Sequence, residues 1–305
     1  MRPTKLNRAR SAKLLKKLAA KPPSACICSV DIYSGYADFR GPSSTKRQAG
    51  NAGGDRRTIT EFSSGARRNF LKRMFSLSVL PDLVVTLTYP GVYAAEAETW
   101  KRHLDNFSHE FRRRFPGSWF FWKLEPQRRG APHFHLIGSV GGGRLNIFFL
   151  RQFIAETWFR IVGSGDERHL NAGTQADYIN DSFGKVRAYV CKYVGKRSGS
   201  DLPQWATPGR FWGIIGRKNL PTATCCQVLL PRDAFFKLRR LVRKWMKRFA
   251  TSTSYSKRLK NLSAFFVLVQ HGIVFRLLEG ALGFSLPQAS NSLAPAVLDF
   301  ELIPF

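Results

Sequence analysis

Glu125-Pro126-Gln127-Arg128-Arg129-Gly130-Ala131-Pro132-His133-Phe134-His135-Leu136-Ile137 is the stretch on which the fold turns. Side chains in a strand alternate between faces, so His133 and His135 share one face and Phe134 takes the other, toward a core. The aromatic run before it, from Ser118 through Trp119, Phe120, Phe121 and Trp122 to Glu125, has the composition of a second strand. Between them, Pro126 to Pro132 holds the turn residues, Gly130 and Pro132, that fold the two into a hairpin. In that pairing Glu125 lies across from the histidines. Two imidazoles and a carboxylate make half a shell for a divalent cation, with positions left for water or a phosphate oxygen. Ordinary half-buried histidines use the same His-x-His spacing, so the pair takes its meaning from the rest of the chain.

Working outward, Leu83-Val-Val-Thr-Leu-Thr-Tyr89 is β-branched and apolar almost throughout and stops at Pro90, which predicts an interior strand buried on both faces. Ala95 to Phe115 sets Trp100, Leu104, Phe107 and Phe111 at helical spacing with Pro116 beyond its end. Leu150 to Val162 repeats the pattern with Phe153, Ile154, Thr157, Trp158 and Ile161, and Gly163 ends it. A short helix is expected from Ser64, with Phe70, Leu71 and Met74 on one side. Gly141-Gly142-Gly143 is a turn, since no G-x-G-x-x-G follows it. Gly209 to Pro221 reads as a strand with a basic exit, Cys225 to Leu230 as a further strand, and Arg232 to Phe249 as a helix whose apolar stripe runs among eight Lys or Arg. The most apolar stretch, Ala264 to Leu278, carries Gln270, His271 and Arg276 and is shorter than the ~20 residues of a membrane span, so it is expected to be core or a docking element.

The second informative stretch is Lys185-Val-Arg-Ala-Tyr189-Val-Cys-Lys192-Tyr193-Val-Gly-Lys196. At about 100° per residue, Tyr189, Lys192, Tyr193 and Lys196 fall on one helical face, opposite Ala188, Val190, Cys191 and Val194. A solvated face would mix acids with bases; this one carries two phenols and two ammonium groups. A phenol is a weak nucleophile near neutral pH, and neighbouring ammonium groups favour its phenolate while neutralising a phosphate under attack.

Composition agrees with a polyanionic partner. Forty-nine Lys and Arg against twenty Asp and Glu give a formal charge of +29 on 305 residues. Nucleic acid is the first counterpart of such a field and an anionic membrane the second. With 44% hydrophobic residues the chain can bury a sizeable core. Cys26, Cys28, Cys191, Cys225 and Cys226 form no Cys-x-x-Cys pairs, which speaks against a zinc ribbon or a secreted disulfide framework. Lysines interrupt the apolar run at Leu14-Leu15-Lys16-Lys17-Leu18, so no secretory signal is expected, and no G-x-x-x-x-G-K-[ST] loop occurs. The expected organisation is a basic arm and Gly-rich linker over 1–57, its first part a mobile arm or a basic helix from Ser11 to Lys21, then a catalytic-type domain over 58–230, then a basic helix and extension over 231–305. Arg128, Arg129, Arg210, Arg217 and Lys218, at the hairpin turn and at strand ends, are the candidate phosphate contacts.

Glu125, the His133-Phe134-His135 strand and the later Tyr189-x-x-Lys192-Tyr193-x-x-Lys196 helix, in that order, resemble the rolling-circle replication initiators of the HUH endonuclease superfamily. The paired tyrosines are similar to those of phage A proteins and related plasmid initiators. The resemblance covers roughly residues 58–230. It implies an α+β fold, a central antiparallel five-stranded sheet covered by helices and related to ferredoxin-like and RRM folds; the basic N- and C-terminal extensions lie outside it. It implies Mg²⁺ or Mn²⁺ held by Glu125, His133 and His135, and attack by Tyr189 or Tyr193 with Lys192 and Lys196 beside it. Also implied are single-stranded or melted origin DNA as substrate, a host helicase and replicative polymerase as partners, no membrane, and the cytoplasm of a bacterial host. A transposase or mobilisation relaxase would use the same chemistry. A basic DNA-binding protein without catalysis is the reading from another class.

Overall fold

A computed structural model describes residues 28–42, 59, 61–179, 183–184, 186, 189–190, 209–223, 225–249, 259 and 262–283. The chain divides into two compact units, Gly53–Thr222 and, from two separate stretches, Met1–Ala52 with Ala223–Phe305.

The first unit is a five-stranded sheet in which every pairing is antiparallel: β3 (Leu83–Thr88), β4 (Trp119–Pro126), β5 (Pro132–Ser139), β6 (Thr174–Tyr178) and β7 (Trp212–Ile215), in the order β6-β3-β5-β4-β7. The histidine strand β5 is therefore the middle strand. The β4–β5 hairpin forms where the sequence predicts it. Gln127 donates its amide to the Ala131 carbonyl, Gly130 donates to that of Gln127, and Gly130 turns with φ 85°.

Strand alternation sorts the two faces of this sheet. Leu83, Val85, Leu87, Phe120, Leu124, Phe134, Leu136, Ala176 and Ile215 point into one core. That core is closed by α2 (Ala97–Arg114), through Trp100, Leu104, Phe107 and Phe111, and by α3 (Ile147–Val162), through Leu150, Ile154 and Trp158. Burying each of these large side chains contributes ~1.5–3 kcal/mol, so the covering face is held mainly by packing. Asn146 caps α3, its side chain accepting from the Phe148 and Phe149 amides, and Gly163 ends it with φ 66°. The short α4 (Glu167–Ala172) leads into edge strand β6.

The opposite face carries Val84, Thr86 and Thr88 on β3, Phe121, Lys123 and Glu125 on β4, and His133, His135 and Ile137 on β5. The strand β3 thus alternates buried and half-buried residues instead of being buried on both faces as expected. Helix α1 (Ser64–Phe75) lies on this side: the Phe70 ring is 5.5 Å from both Phe121 and Trp212. Ser63 caps it, accepting from the Ala66 amide.

The second unit is an antiparallel four-stranded sheet, β8-β1-β2-β9, made of β1 (Cys28–Ile32), β2 (Tyr36–Arg40), β8 (Cys226–Leu230) and β9 (Ala264–Leu268). Its apolar face packs α5 (Arg232–Phe249) and α6 (His271–Leu282) around Val30, Phe39, Leu238, Val242 and Val274. On the other face Asp31 and Asp38 are buried. Arg40 lies 2.7 Å from Asp31, and Gln227 donates to the same carboxylate. Here the structure departs from the sequence reading at three points. Residues 28–40, placed in an arm, are two strands. Cys226–Leu230, read with the first sheet, pairs with β1. The run from Ala264 breaks at Gln270 into a strand and a helix. The expected helix from Ser11 to Lys21 lies outside the described residues.

Candidate active site

Register builds the site. On the α1-covered face, Thr86 of β3 pairs with His135 of β5, and His135 with Lys123 of β4; one pair further along, Thr88 meets His133 and His133 meets Glu125. Glu125 therefore stands directly across from His133. The two imidazole rings have centroids 4.4 Å apart and stand edge to face.

Each of these side chains has an identifiable partner. Thr88 Oγ1 lies 2.9 Å from His133 Nδ1. With the proton on Nδ1 donated to that oxygen, Nε2 is left as the lone pair the ring can offer. Burial pushes the His133 imidazolium down to about 4, the charge of His135 adds to this and Glu125 opposes it, so the ring is neutral at ordinary pH. Glu125 receives two contacts: Lys123 donates to Oε1, and His135 Nε2 sits 3.4 Å from Oε2. Burial works to raise the Glu125 carboxyl, but the His135 contact and the charge and hydrogen bond of Lys123 outweigh it and hold the group at about 2. Lys123 is itself enclosed, with its side chain 2% exposed and its ammonium 5.1 Å over the Phe62 ring.

As a donor set, two imidazoles and a carboxylate on one face fit a divalent cation in kind. Their present arrangement is an ion-pair network, with the Lys123 ammonium on one carboxylate oxygen and His135 beside the other. Among the described residues no group of three or more His, Cys, Asp or Glu is gathered as a metal shell. Lys123 on Oε1 and His135 beside Oε2 would both compete with a bound ion for the Glu125 carboxylate.

The tyrosine stretch is described at five positions, Phe183, Gly184, Val186, Tyr189 and Val190, all helical. Val186 and Val190 are buried and Tyr189 is half-buried, in line with the two-sided pattern of the sequence. The Phe183 ring packs 5.6 Å from Phe75 at the end of α1. Since α1 covers the histidine face, the start of the tyrosine segment lies on the same side of the sheet as Glu125, His133 and His135. Lys192, Tyr193 and Lys196 lie outside the described residues.

The five candidate phosphate contacts separate. Arg128 is exposed at the tip of the β4–β5 hairpin. Arg129 is exposed, but its guanidinium is engaged: it donates to the carbonyls of Tyr89, Pro90 and Gly91 and to Gln127 Oε1, tying the end of β3 to the hairpin. Arg210 offers its carbonyl to Lys101, and Arg217 and Lys218 follow β7 in a single 3₁₀ turn beside α2. These last belong to the α2 side of the sheet, away from the histidines. Two site residues escaped the sequence reading. Lys123 had a visible signal, a lone charge in an aromatic strand at even spacing from Glu125; Thr88 depends on cross-strand register and had none.

Residues 82–198 match the family model for replication-associated proteins of the ORF2 and phage gene II protein type, a span that runs from β3 past the tyrosine stretch. The replication-associated gene II protein of Pseudomonas phage Pf3 is 30% identical over 140 residues, 42% of this chain and 46% of that relative. The chain thus spans about half the length of the curated relative it matches. Over the segment that carries the hairpin and the tyrosine stretch, it is similar to replication-associated proteins of the ORF2 and gene II protein type.

Proposed function

We propose that the five-stranded unit is a metal-dependent DNA endonuclease and strand transferase that initiates rolling-circle replication of a plasmid or phage. The observation that carries this reading is the cross-strand placement of Glu125 against His133, with His135 beside them on one face and the tyrosine segment entering on the same side. Glu125, His133 and His135 would hold Mg²⁺ or Mn²⁺, which when bound would polarise a phosphodiester oxygen. Thr88 holds the ring orientation of His133 through its 2.9 Å contact with Nδ1. Tyr189 or Tyr193 loses its proton and attacks phosphorus; the bond to the 3′ oxygen breaks, that oxygen gains a proton, and a 5′-phosphotyrosine remains with a free 3′-OH to prime synthesis. Reversal by the same 3′-OH, or a second cut by the other tyrosine, rejoins the strand. Lys192 and Lys196, three residues after each tyrosine, would offset charge on phosphate and phenolate.

The substrate is single-stranded or melted origin DNA in a bacterial cytoplasm, opened by a host helicase and extended by a host polymerase. Among the described residues no helix is long and apolar enough to cross a membrane. A transposase or relaxase would share every step. One observation favours a reading without catalysis: Lys123 already neutralises Glu125. The deciding experiment incubates the protein with labelled single-stranded origin oligonucleotides and Mn²⁺, with and without chelator, and maps any covalent adduct. An adduct on Tyr189 or Tyr193 is expected; its absence on every oligonucleotide tested would leave a basic DNA-binding protein.

A further inference from the structure

On the face opposite the histidines, α2 and the end of β7 border an open cavity of about 830 Å³. Its α2 wall is one helical stripe, Lys101, Asp105, Ser108 and Arg112, at intervals of four, three and four residues. Its other wall is Gly216 and the turn Arg217–Asn219, and the Trp122 ring forms part of the floor. That turn is held firmly. Gly216 adopts φ 64° with no room for a Cβ, which would meet the Ser118 carbonyl at 2.2 Å, and Asn219 Nδ2 donates to the same carbonyl.

The charge in this cavity is unbalanced. Lys101, Arg102, Arg112, Arg217 and Lys218 line it, and among the described residues none of the five forms an ion pair. The one acid in its lining, Asp105, lies 3.6 Å from His109 instead. Elsewhere in the same unit Arg144, Arg151 and Arg160 each find a carboxylate. Lys101 Nζ is taken up by the Arg210 carbonyl and the Trp122 ring, but Arg102, Arg112, Arg217 and Lys218 line one space without a carboxylate partner among the described residues, and an anion with several charges suits that field. A volume within the ~300–1,000 Å³ of ligand pockets exceeds what one phosphate needs. Four cationic side chains likewise exceed one phosphate, and a strand offers several in a row.

We infer that this cavity is a second nucleic-acid site, which holds the phosphodiester backbone of a DNA strand on the back of the sheet while the histidine face works on another part of the strand. The inference rests on the DNA reading above but not on cleavage. Burial brings the Lys101 ammonium down to about 7, as suits an amine that regains its proton when phosphate arrives.

The test measures binding of a fluorescent single-stranded 30-mer to the full chain across a salt series. Arg217→Glu with Lys218→Glu, and separately Arg112→Glu from the α2 wall, should each weaken binding roughly tenfold and flatten the slope of log K against log[salt] by ~0.7 for each phosphate no longer neutralised. Arg168→Glu, an exposed cation outside the cavity, should change affinity less than about twofold. Equal losses from Arg168→Glu, or no loss from the cavity variants, would overturn the inference. So would cavity variants that lose binding to phosphatidylserine vesicles but keep that of the 30-mer. A wild-type protein that gives no tyrosine adduct, while the cavity variants lose DNA, sinks the nuclease reading and keeps this one.

Discussion

Replacing Lys123 with methionine tests whether the buried lysine holds the place of a metal ion. The methionine keeps length and apolar packing against Phe62 but removes the ammonium from Glu125. Losing one partner of a buried ion pair costs ~3–5 kcal/mol. Here the side chain of Glu125 keeps 14% exposure and the His135 contact at 3.4 Å, which lowers the expected loss to about 2–3 kcal/mol. For a domain of this size ~2–4 °C of melting temperature accompany each kcal/mol, so the variant should melt roughly 4–12 °C lower without metal. Mn²⁺ should then recover more stability in Lys123→Met than in the wild type, because the ion no longer competes with an ammonium; saturation at a hundred times Kd adds ~2.7 kcal/mol. Melting curves with and without Mn²⁺ measure both quantities. Adding Glu125→Gln to Lys123→Met should restore most of the metal-free loss, since neither charge is then stranded. An equal Mn²⁺ shift in wild type and variant, or no metal-free loss at all, would refute the exchange of lysine for metal.

Three further outcomes are expected. Tyr189→Phe and Tyr193→Phe should each leave partial strand cleavage and together abolish it, read by covalent adduct on a gel; full cleavage by the double variant rules out the assignment. His133→Ala should lose Mn²⁺-dependent cleavage and change DNA affinity less than about threefold, since phosphate contacts dominate affinity; equal loss of both would mean a folding role. Binding of the 30-mer should weaken as pH rises above about 7. Lys101 contributes fully below the pKa of the free protein, and that contribution fades as pH climbs through the raised pKa of the bound form. The amine itself meets the Arg210 carbonyl and the Trp122 and Phe134 rings, while Arg102, Asp105 and Arg112 from α2, and Arg217 and Lys218 beyond β7, line the same space, so Lys101→Met is the control that should flatten the profile.

What the sequence made legible was whatever carries a strong period or firm punctuation. The β4–β5 hairpin, α1, α2, α3 and α5 all stand near their expected bounds. The paired strands β1 and β2 did not read as strands, because Asp31 and Asp38 interrupt their apolar pattern; only the fold reveals that Arg40 and Gln227 satisfy Asp31 within the sheet. Edge strand β6 offers a single fully buried residue, Ala176, too little for a period. The pairing of Cys226–Leu230 with Cys28–Ile32 joins residues about two hundred positions apart and leaves no local trace. Within the site, residue types and shared face were legible, whereas the Lys123 neutralisation of Glu125 required the side chains in place.

Fold and site are linked through the register of one hairpin. A slip of one residue in β5 would turn His133 and His135 into the core beside Leu87 and Trp158, and Phe134 outward toward Lys123. Two imidazoles would then lie in an apolar core away from Thr88 and Glu125, an arrangement costly in desolvation. The turn resists that slip with Gly130 at φ 85°, the two backbone bonds across Gln127–Ala131, and the Arg129 guanidinium pinned to the carbonyls after β3. Arg129 therefore serves the site through geometry: by fixing the hairpin against β3, it keeps Thr88, His133 and Glu125 in line.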